Sequence, residues 1–278
     1  MKKNDVLALL TLISAASAPG ATVFGPGHLD LRVNVDDSGE WSMDLKHDGN
    51  GSSLDPSTWT DPVVEPADSS SVLFIPEERS LTRPGAATWD FLGTAAGGEV
   101  WIFPSTYSGY VVFPGFSAEE TLAADLGLWE PEHASVGSGR WIEIRLLAMD
   151  YYGESAQADF SMWTTPGSTP NVWMQTANGI ASDGTDDVFL MSPGGHTHMN
   201  WGFTGVGVYD LTFQARTSLS SGAESVSTPF TLRFGVGTTA IPEPGILISG
   251  SLGLLTLLVR RRSSGAGRLP ILPLKPNR

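Results

Sequence analysis

Residues 209–216 read Tyr-Asp-Leu-Thr-Phe-Gln-Ala-Arg, and apolar and polar side chains alternate along this stretch. Successive side chains of a β-strand point to opposite faces, so a period of two predicts a strand with one buried face. The stretches 29–35 (LDLRVNV) and 230–236 (FTLRFGV) repeat the pattern near the two ends of the chain. Shorter apolar runs predict further strands at residues 72–75, 100–103, 141–149 and 171–176.

Turn sequences separate these runs, among them DDSG at residues 36–39 and DGNG at residues 48–51. Helical periodicity is scarce, and only residues 118–126 suit a short helix. Residues 55–98 are rich in proline and irregular, which predicts long loops or an inserted lobe. We therefore expect a mainly β domain over residues 22–237, an antiparallel β-sandwich of the immunoglobulin-like or jelly-roll-like kind with long loops.

The composition excludes several functions. The chain has 278 residues, a formal net charge of −14 and no cysteine. Lysines and arginines cluster near both ends, so the central region is still more acidic than the whole chain. An acidic surface repels phosphate backbones, and we expect no nucleic-acid partner. Without cysteine, disulfides, thiolate metal sites and a catalytic thiol are excluded.

The first 18 residues have the order of a secretory signal. Lys2 and Lys3 precede an apolar run over residues 6–16, and small residues follow at positions 15–18. This order predicts a signal helix that is recognised by the Sec export machinery and removed after Ala18 or Ala16. The alternative is a buried first helix of the domain.

The C-terminal region carries three elements in sequence. Pro242-Glu243-Pro244 is followed by the uncharged residues 245–259, and Arg260, Arg261 and Arg262 end the segment. Fifteen helical residues cover about 22 Å, less than a hydrocarbon core of about 30 Å. The arginines favour a cytoplasmic position for this end of a transiently inserted hydrophobic helix.

This arrangement resembles the PEP-CTERM sorting signal, in which an exosortase recognises the Pro-Glu-Pro motif and removes the tail. The resemblance covers residues 242–262, preceded by a linker at 238–241 and followed by a basic tail at 263–278 that we expect to be disordered. Such signals usually stop near the arginines, so the tail departs from the pattern. An ordinary C-terminal membrane anchor is the alternative. Both interpretations predict a body exported to the cell surface, outer envelope or extracellular matrix.

Two pairs of polar residues could bind a metal ion. His196 and His198 are two apart in Gly-His-Thr-His, and His28 and Asp30 are two apart on a predicted strand. Residues two apart on a strand share a face, and imidazole pairs bind divalent transition metals such as zinc or copper. The sequence does not show whether the two pairs meet. The alternative is that these histidines make structural hydrogen bonds at strand ends.

The segments that contain these pairs resemble the choice-of-anchor M family of bacterial surface proteins. In that family a Gly-His-x-Asp start is paired with a late His-x-His-x-Asn-Trp-x-Phe segment that leads into a Gly-x-Tyr strand. The matching residues are Gly27, His28, Asp30, His196, His198, Asn200, Trp201, Phe203, Gly207 and Tyr209. The resemblance implies an exported domain shared among different anchors, and it favours a metal, since some relatives accompany transporters of a metal-uptake type. Relatives usually have alanine where this chain has Gly202, a change expected to have little consequence.

Other candidate sites are weaker. The acidic turn at residues 183–187 (DGTDD) could hold calcium, but it lacks the EF-hand spacing, so a solvated loop is favoured. An exposed row of aromatic rings, tryptophan or tyrosine, with paired carboxylates in a groove would indicate a carbohydrate-binding or carbohydrate-active domain that acts on exopolysaccharide. No nucleophile elbow, His-Glu-x-x-His helix or phosphate-binding loop is present, which predicts a non-enzyme. The leading expectation is a non-catalytic exported surface protein, with a metal-binding module and a carbohydrate-binding domain as alternatives.

Overall fold

The computed structural model describes residues 22–48, 63–133, 136–156, 158–181 and 186–238. The predicted signal peptide, the sorting motif Pro242–Glu243–Pro244, Arg260–Arg262 and the basic tail lie outside these ranges, as does nearly all of the predicted linker. Within the described ranges, no helix has the length and apolar character needed to cross a membrane.

The described part of the chain is mainly β, as the alternating pattern predicts. Its strands are β1 (Thr22–Phe24), β2 (Gly27–Val35), β3 (Trp41–Asp48), β4 (Val63–Pro66), β5 (Ser71–Ile75), β6 (Leu81–Thr82), β7 (Glu99–Phe103), β8 (Val112–Ser117), β9 (Ile142–Gly153), β10 (Phe160–Thr164), β11 (Asn171–Gln175), β12 (Val188–Met191), β13 (His196–His198), β14 (Asn200–Phe203), β15 (Gly207–Ser218), β16 (Glu224–Val226) and β17 (Phe230–Val236). Two short 3₁₀-helices, Glu77–Arg79 and Ala87–Leu92, lie in the region that was expected to be irregular.

The prediction of a helix at residues 118–126 is wrong. This segment forms turns, and Leu126 makes an isolated β-bridge with Leu219. The backbone N–H of Ala118 donates to the carbonyl of Gly195, and the Thr121 hydroxyl accepts from the N–H of Val35. These bonds to distant strands replace the local i→i−4 bonds that a helix would need.

The strands form three sheets. Sheet I has the order β1-β5-β17-β15-β9-β12, with β16 also paired to β15. Sheet II has the order β11-β10-β14-β7-β6, and sheet III has the order β13-β8-β2-β3-β4.

The expectation of purely antiparallel sheets is wrong in three pairings within the described residues. Strands β1 and β17 both run parallel to β5, and β2 runs parallel to β8. Parallel neighbours need a crossover connection, and β2 and β8 are indeed separated by five intervening strands. The β2–β8 pair places β2 beside the strand that also pairs with β13.

All three sheets contribute to one hydrophobic core. Leu29, Leu31 and Val33 of β2 point into it, as their alternation predicts, and Trp201 of β14 is fully buried within it. The Trp201 ring packs against Phe116, Phe160, Phe213 and Phe234, which belong to four other strands. One face of β2 is thus fixed against the core, so the alternate residues of that strand must face outwards.

The segment 196–203 passes from one sheet to another. Strand β13 is an edge strand of sheet III, β14 lies within sheet II, and the buried Met199 joins them. Just beyond, the buried hydroxyl of Tyr209 accepts from the Gly205 N–H and donates to the Gly205 carbonyl, which fixes the entry into β15.

The packing around position 202 explains why this residue is a glycine. A Cβ atom at this position would lie 2.8 Å from Cζ3 of Trp163, closer than real Cβ contacts allow. The buried Trp163 ring covers the outer face of sheet II together with Trp89 and Phe91. The expectation that alanine and glycine are interchangeable here is wrong, because alanine would have to displace this ring.

Candidate metal centre

The two predicted pairs, His28 with Asp30 and His196 with His198, meet on the outer face of sheet III. They reach the same place through a third strand, because β2 and β13 both pair with β8 on its two sides. In the register of the sheet, Asp30 and His198 both lie opposite Gly115 of β8.

The donor atoms of the four side chains are close to one another. The Nε2 atom of His198 lies 2.9 Å from Nε2 of His28 and 3.0 Å from Nε2 of His196. Oδ1 of Asp30 lies 2.7 Å from Nε2 of His196, 3.2 Å from that of His28 and 3.8 Å from that of His198. All four residues offer a ligand atom within 4.8 Å of the others, the one such group in the described part of the chain.

These separations are of the size that one metal ion requires. Bonds of about 2.0–2.1 Å to nitrogen and oxygen place tetrahedral ligand atoms about 3.3 Å apart. Five of the six donor separations lie between 2.7 and 3.8 Å, on both sides of that value, and the whole set lies within 4.8 Å. The four ligand atoms are therefore close enough to surround one ion after side-chain adjustment.

Gly115 makes the convergence possible. A Cβ atom at this position would lie 2.7 Å from Nδ1 of His198 and 2.8 Å from the backbone oxygen of Thr197. A side chain here would push His198 and the β13 backbone away from β2. Because Gly115 has none, the His198 ring lies over β8 and reaches the donor atoms on β2.

Burial keeps the imidazole of His198 in its neutral form. Desolvation by burial, with smaller contributions from His28 and His196, lowers the pKa of His198 to about 4. The nearby backbone of Pro114 and Phe113 offsets part of this shift. The imidazole is therefore neutral at neutral pH, and a metal ligand must be in this form.

An aromatic wall closes one side of the site. The Phe113 ring of β8 packs on His28 and on His198, with ring centroids 5.1 Å and 4.7 Å away. Tyr107 packs on the far side of Phe113. Apolar rings around the donors hold the imidazole planes in place and exclude water from that side.

Sequence reasoning identified all four candidate ligands but missed Gly115, Phe113 and the turn that contains Glu119. A glycine within a strand is the one available signal, since it marks a bulge or a close approach of another group. Here the chain reads Phe113-Pro114-Gly115-Phe116, and the run was not recognised as a strand at all. The role of Gly115 depends on its neighbours on both sides, which are about 80 residues away in either direction.

The calcium candidate at residues 183–187 lies partly outside the described residues. Of the two aspartates that are described, Asp187 accepts hydrogen bonds through both carboxylate oxygens, from the N–H groups of Gln175 and Ala181. Its backbone has a positive φ of 56°. These contacts give Asp187 a role in closing a loop.

The carbohydrate alternative expects a row of exposed aromatic rings. In the described part of the chain no tryptophan is exposed, and Tyr110, which is 57% exposed, has the guanidinium of Arg79 over its ring. One cavity of about 250 Å³ combines Trp129 with Glu130, Glu132 and Glu224. The guanidinium of Arg216 lies over the Trp129 ring, 5.3 Å from its centroid, and covers that face.

Comparison with known proteins found no match: no family model, no curated protein and no solved structure matches this chain. The interpretation of the site therefore depends on its own geometry.

Proposed function

We propose that this protein is an exported surface protein whose β domain binds one transition-metal ion, with zinc the best fit. The observation that carries the proposal is the convergence of ligand atoms from His28, Asp30, His196 and His198, all within 4.8 Å of one another. A ring nitrogen makes one hydrogen bond, yet Nε2 of His198 lies 2.9 Å and 3.0 Å from two other Nε2 atoms, which hydrogen bonding alone does not explain.

The donor set favours some metals over others. Three imidazoles and one carboxylate suit zinc and its transition-metal neighbours, whereas calcium and magnesium prefer oxygen ligands. Four protein ligands complete a tetrahedral shell, and a complete shell is typical of structural or carrier sites. The proposed activity is therefore binding, and catalysis has no part in it.

Zinc titration of the purified full-length chain tests this function. We expect one equivalent of zinc to bind and to raise the midpoint of thermal unfolding, because a ligand that binds only the folded state stabilises it. The variant with both His196→Ala and His198→Ala should bind no stoichiometric zinc. His133→Ala serves as the matched control, since His133 packs on Trp173 outside the site. Equal metal content in the wild type and the double variant would overturn the proposal.

Export and sorting complete the proposed function. The support is in the sequence, namely the signal-like residues 1–18, Pro242-Glu243-Pro244, the apolar residues 245–259 and Arg260–Arg262. The proposal includes Sec-dependent export, processing by an exosortase-type enzyme and membership of the choice-of-anchor M family. A tagged chain should reach the cell surface or matrix, and deletion of residues 242–262 should change its location. A cytoplasmic wild-type protein would contradict export.

The finer fold assignment belongs to the same proposal. The shared core of the three sheets supports a sandwich-like body, although its sheets include parallel pairs. Exopolysaccharide remains a candidate partner of this body, and glycan-array binding of the purified chain would test it.

A further inference from the structure

The four candidate ligands differ in their access to solvent. The exposed fraction of the side chain is 3% for Asp30, 15% for His28, 16% for His198 and 31% for His196. The donor set is thus most open to solvent on the side of His196, at the start of the edge strand β13. Whatever holds the His196 ring in place therefore influences how the last ligand closes over the ion.

Two turns are joined next to His196. The N–H of Ala118 donates to the Gly195 carbonyl, and the N–H of Gly194 donates to the Ala118 carbonyl, at 2.8 Å and 2.9 Å. The same turn is joined to β2, because the N–H of Glu120 donates to Oδ1 of Asn34. These bonds place residues 119–120 beside the opening of the site.

The two glutamates of this turn have different partners. Oε1 of Glu119 lies 3.7 Å from Nδ1 of His196, on the opposite side of the ring from the metal-facing Nε2. Oε1 of Glu120 instead accepts from Nη1 of Arg32 at 3.0 Å. Both glutamates are largely exposed, at 55% and 64% of the side chain.

We propose that Glu119 is a positioning residue for the metal centre, which holds the proton of His196 on Nδ1 and so keeps Nε2 free for the ion. This inference rests on the proposed metal-binding function. Histidine ligands commonly donate their other ring N–H to a carboxylate, which fixes the tautomer and the ring orientation. The gap of 3.7 Å is longer than a hydrogen bond, but Glu119 is exposed, and a small side-chain rotation closes it.

Three variants test the role of Glu119. Glu119→Ala removes the acceptor, Glu119→Gln keeps a neutral acceptor, and Glu120→Gln makes the same charge change one residue away. We measure the zinc dissociation constant of the full chain by competition with a chelator, and the His196 tautomer by long-range ¹H–¹⁵N imidazole spectra. Outer-shell changes commonly cost about 10–100-fold in metal affinity. We expect about 10-fold or more for Glu119→Ala, less for Glu119→Gln and little change for Glu120→Gln.

The outcomes separate the two proposals. If the wild-type chain binds no zinc, the proposed function itself fails. If zinc binds but Glu119→Ala and Glu120→Gln weaken it equally, the effect is general electrostatics and the positioning role is overturned. Unchanged His196 spectra in Glu119→Ala would also overturn it, whereas a loss of the Nδ1-protonated form would support it.

Discussion

Carboxylates on the outer faces of sheet I and sheet III are satisfied in different ways. On sheet I, Asp210 lies opposite Arg233, whose Nε and Nη2 atoms each lie 2.7 Å from a carboxylate oxygen. On sheet III, Asp30 lies between Gly115 and Lys46 in the register, and its Oδ1 faces three imidazole nitrogens. The same residue type in the same kind of strand thus makes a largely buried ion pair in one sheet and a candidate ligand in the other.

The difference comes from what each neighbour offers. A guanidinium is a planar fork that matches a carboxylate and needs no further partner. A neutral imidazole, the form that burial favours for His198, has one N–H donor and one acceptor nitrogen. Under the proposed function, a cation would hold the acceptor nitrogens and the carboxylate of sheet III together, whereas the carboxylate of sheet I has its cation within the protein.

The largest expected effect is on zinc affinity, when the carboxylates of Asp30 and Asp210 are each replaced by an amide. Asp30→Asn should weaken zinc binding by about 100-fold or more, because the single anionic ligand of the set becomes a neutral amide, a poorer ligand for a divalent transition metal. Asp210→Asn should leave zinc affinity unchanged. Calorimetric titration of both variants measures the effect, and equal losses would show that Asp30 is no ligand.

The second largest effect is a loss of stability when the ion pair of sheet I is removed. Asp210→Ala should lower the free energy of unfolding by about 2–3 kcal/mol, because it removes two charge-assisted hydrogen bonds from a nearly buried guanidinium. Urea denaturation with a chelator present measures this change. A change below about 0.5 kcal/mol would place the pair among ordinary surface ion pairs. Arg233→Met, which removes the cation and keeps an apolar stem, is the paired control.

A smaller effect is expected at Gly115. Gly115→Ala should weaken zinc binding by about 10-fold, because the new Cβ must displace the His198 ring or the Thr197 carbonyl. This size is that of a change next to a ligand. Gly137→Ala is a suitable control, since a Cβ there meets nothing within 4 Å. An unchanged zinc affinity in Gly115→Ala would show that β8 can move to accommodate the Cβ atom without disturbing the ligands.

The smallest effect concerns pH in the metal-free protein. His198 has a folded-state pKa of about 4, below the usual value near 6.5. Between these pH values His198 is protonated in the unfolded chain but not in the folded chain. The free energy of unfolding therefore has its full value above pH 6.5 and falls as the pH drops towards 4. The slope is at most about 1.4 kcal/mol per pH unit.

Urea denaturation at pH 7 and pH 5.5 with a chelator present measures this dependence, and His198→Gln should flatten it. Asp30, His28 and His196 also face this ring, so the effect of His198 is measured as the difference between the wild type and the variant. A steeper slope in the variant would contradict the assignment.

Much of the fold follows from local pattern. The alternation at residues 29–35, 209–216 and 230–236 predicts β2, β15 and β17, because a sheet with one buried face requires it. Residues 118–126 contradict local pattern. Their own backbone bonds are those of turns, from Thr121 to Ala118 and from Asp125 to Leu122, and further bonds join the segment to Gly195 and Val35. The parallel pairs were also not predictable, since the pattern of one strand carries no information on the direction of its neighbour.

The sequence by itself determined that His28 and Asp30 share one strand face and that His196 and His198 share another, since residues two apart must do so. Only the tertiary structure decided that the two faces are one surface. That depends on β8, which pairs with β2 on one side and β13 on the other and presents Gly115 between them. The physical reason is that side-chain alternation is local, whereas the choice of neighbouring strand is set by how the whole core packs.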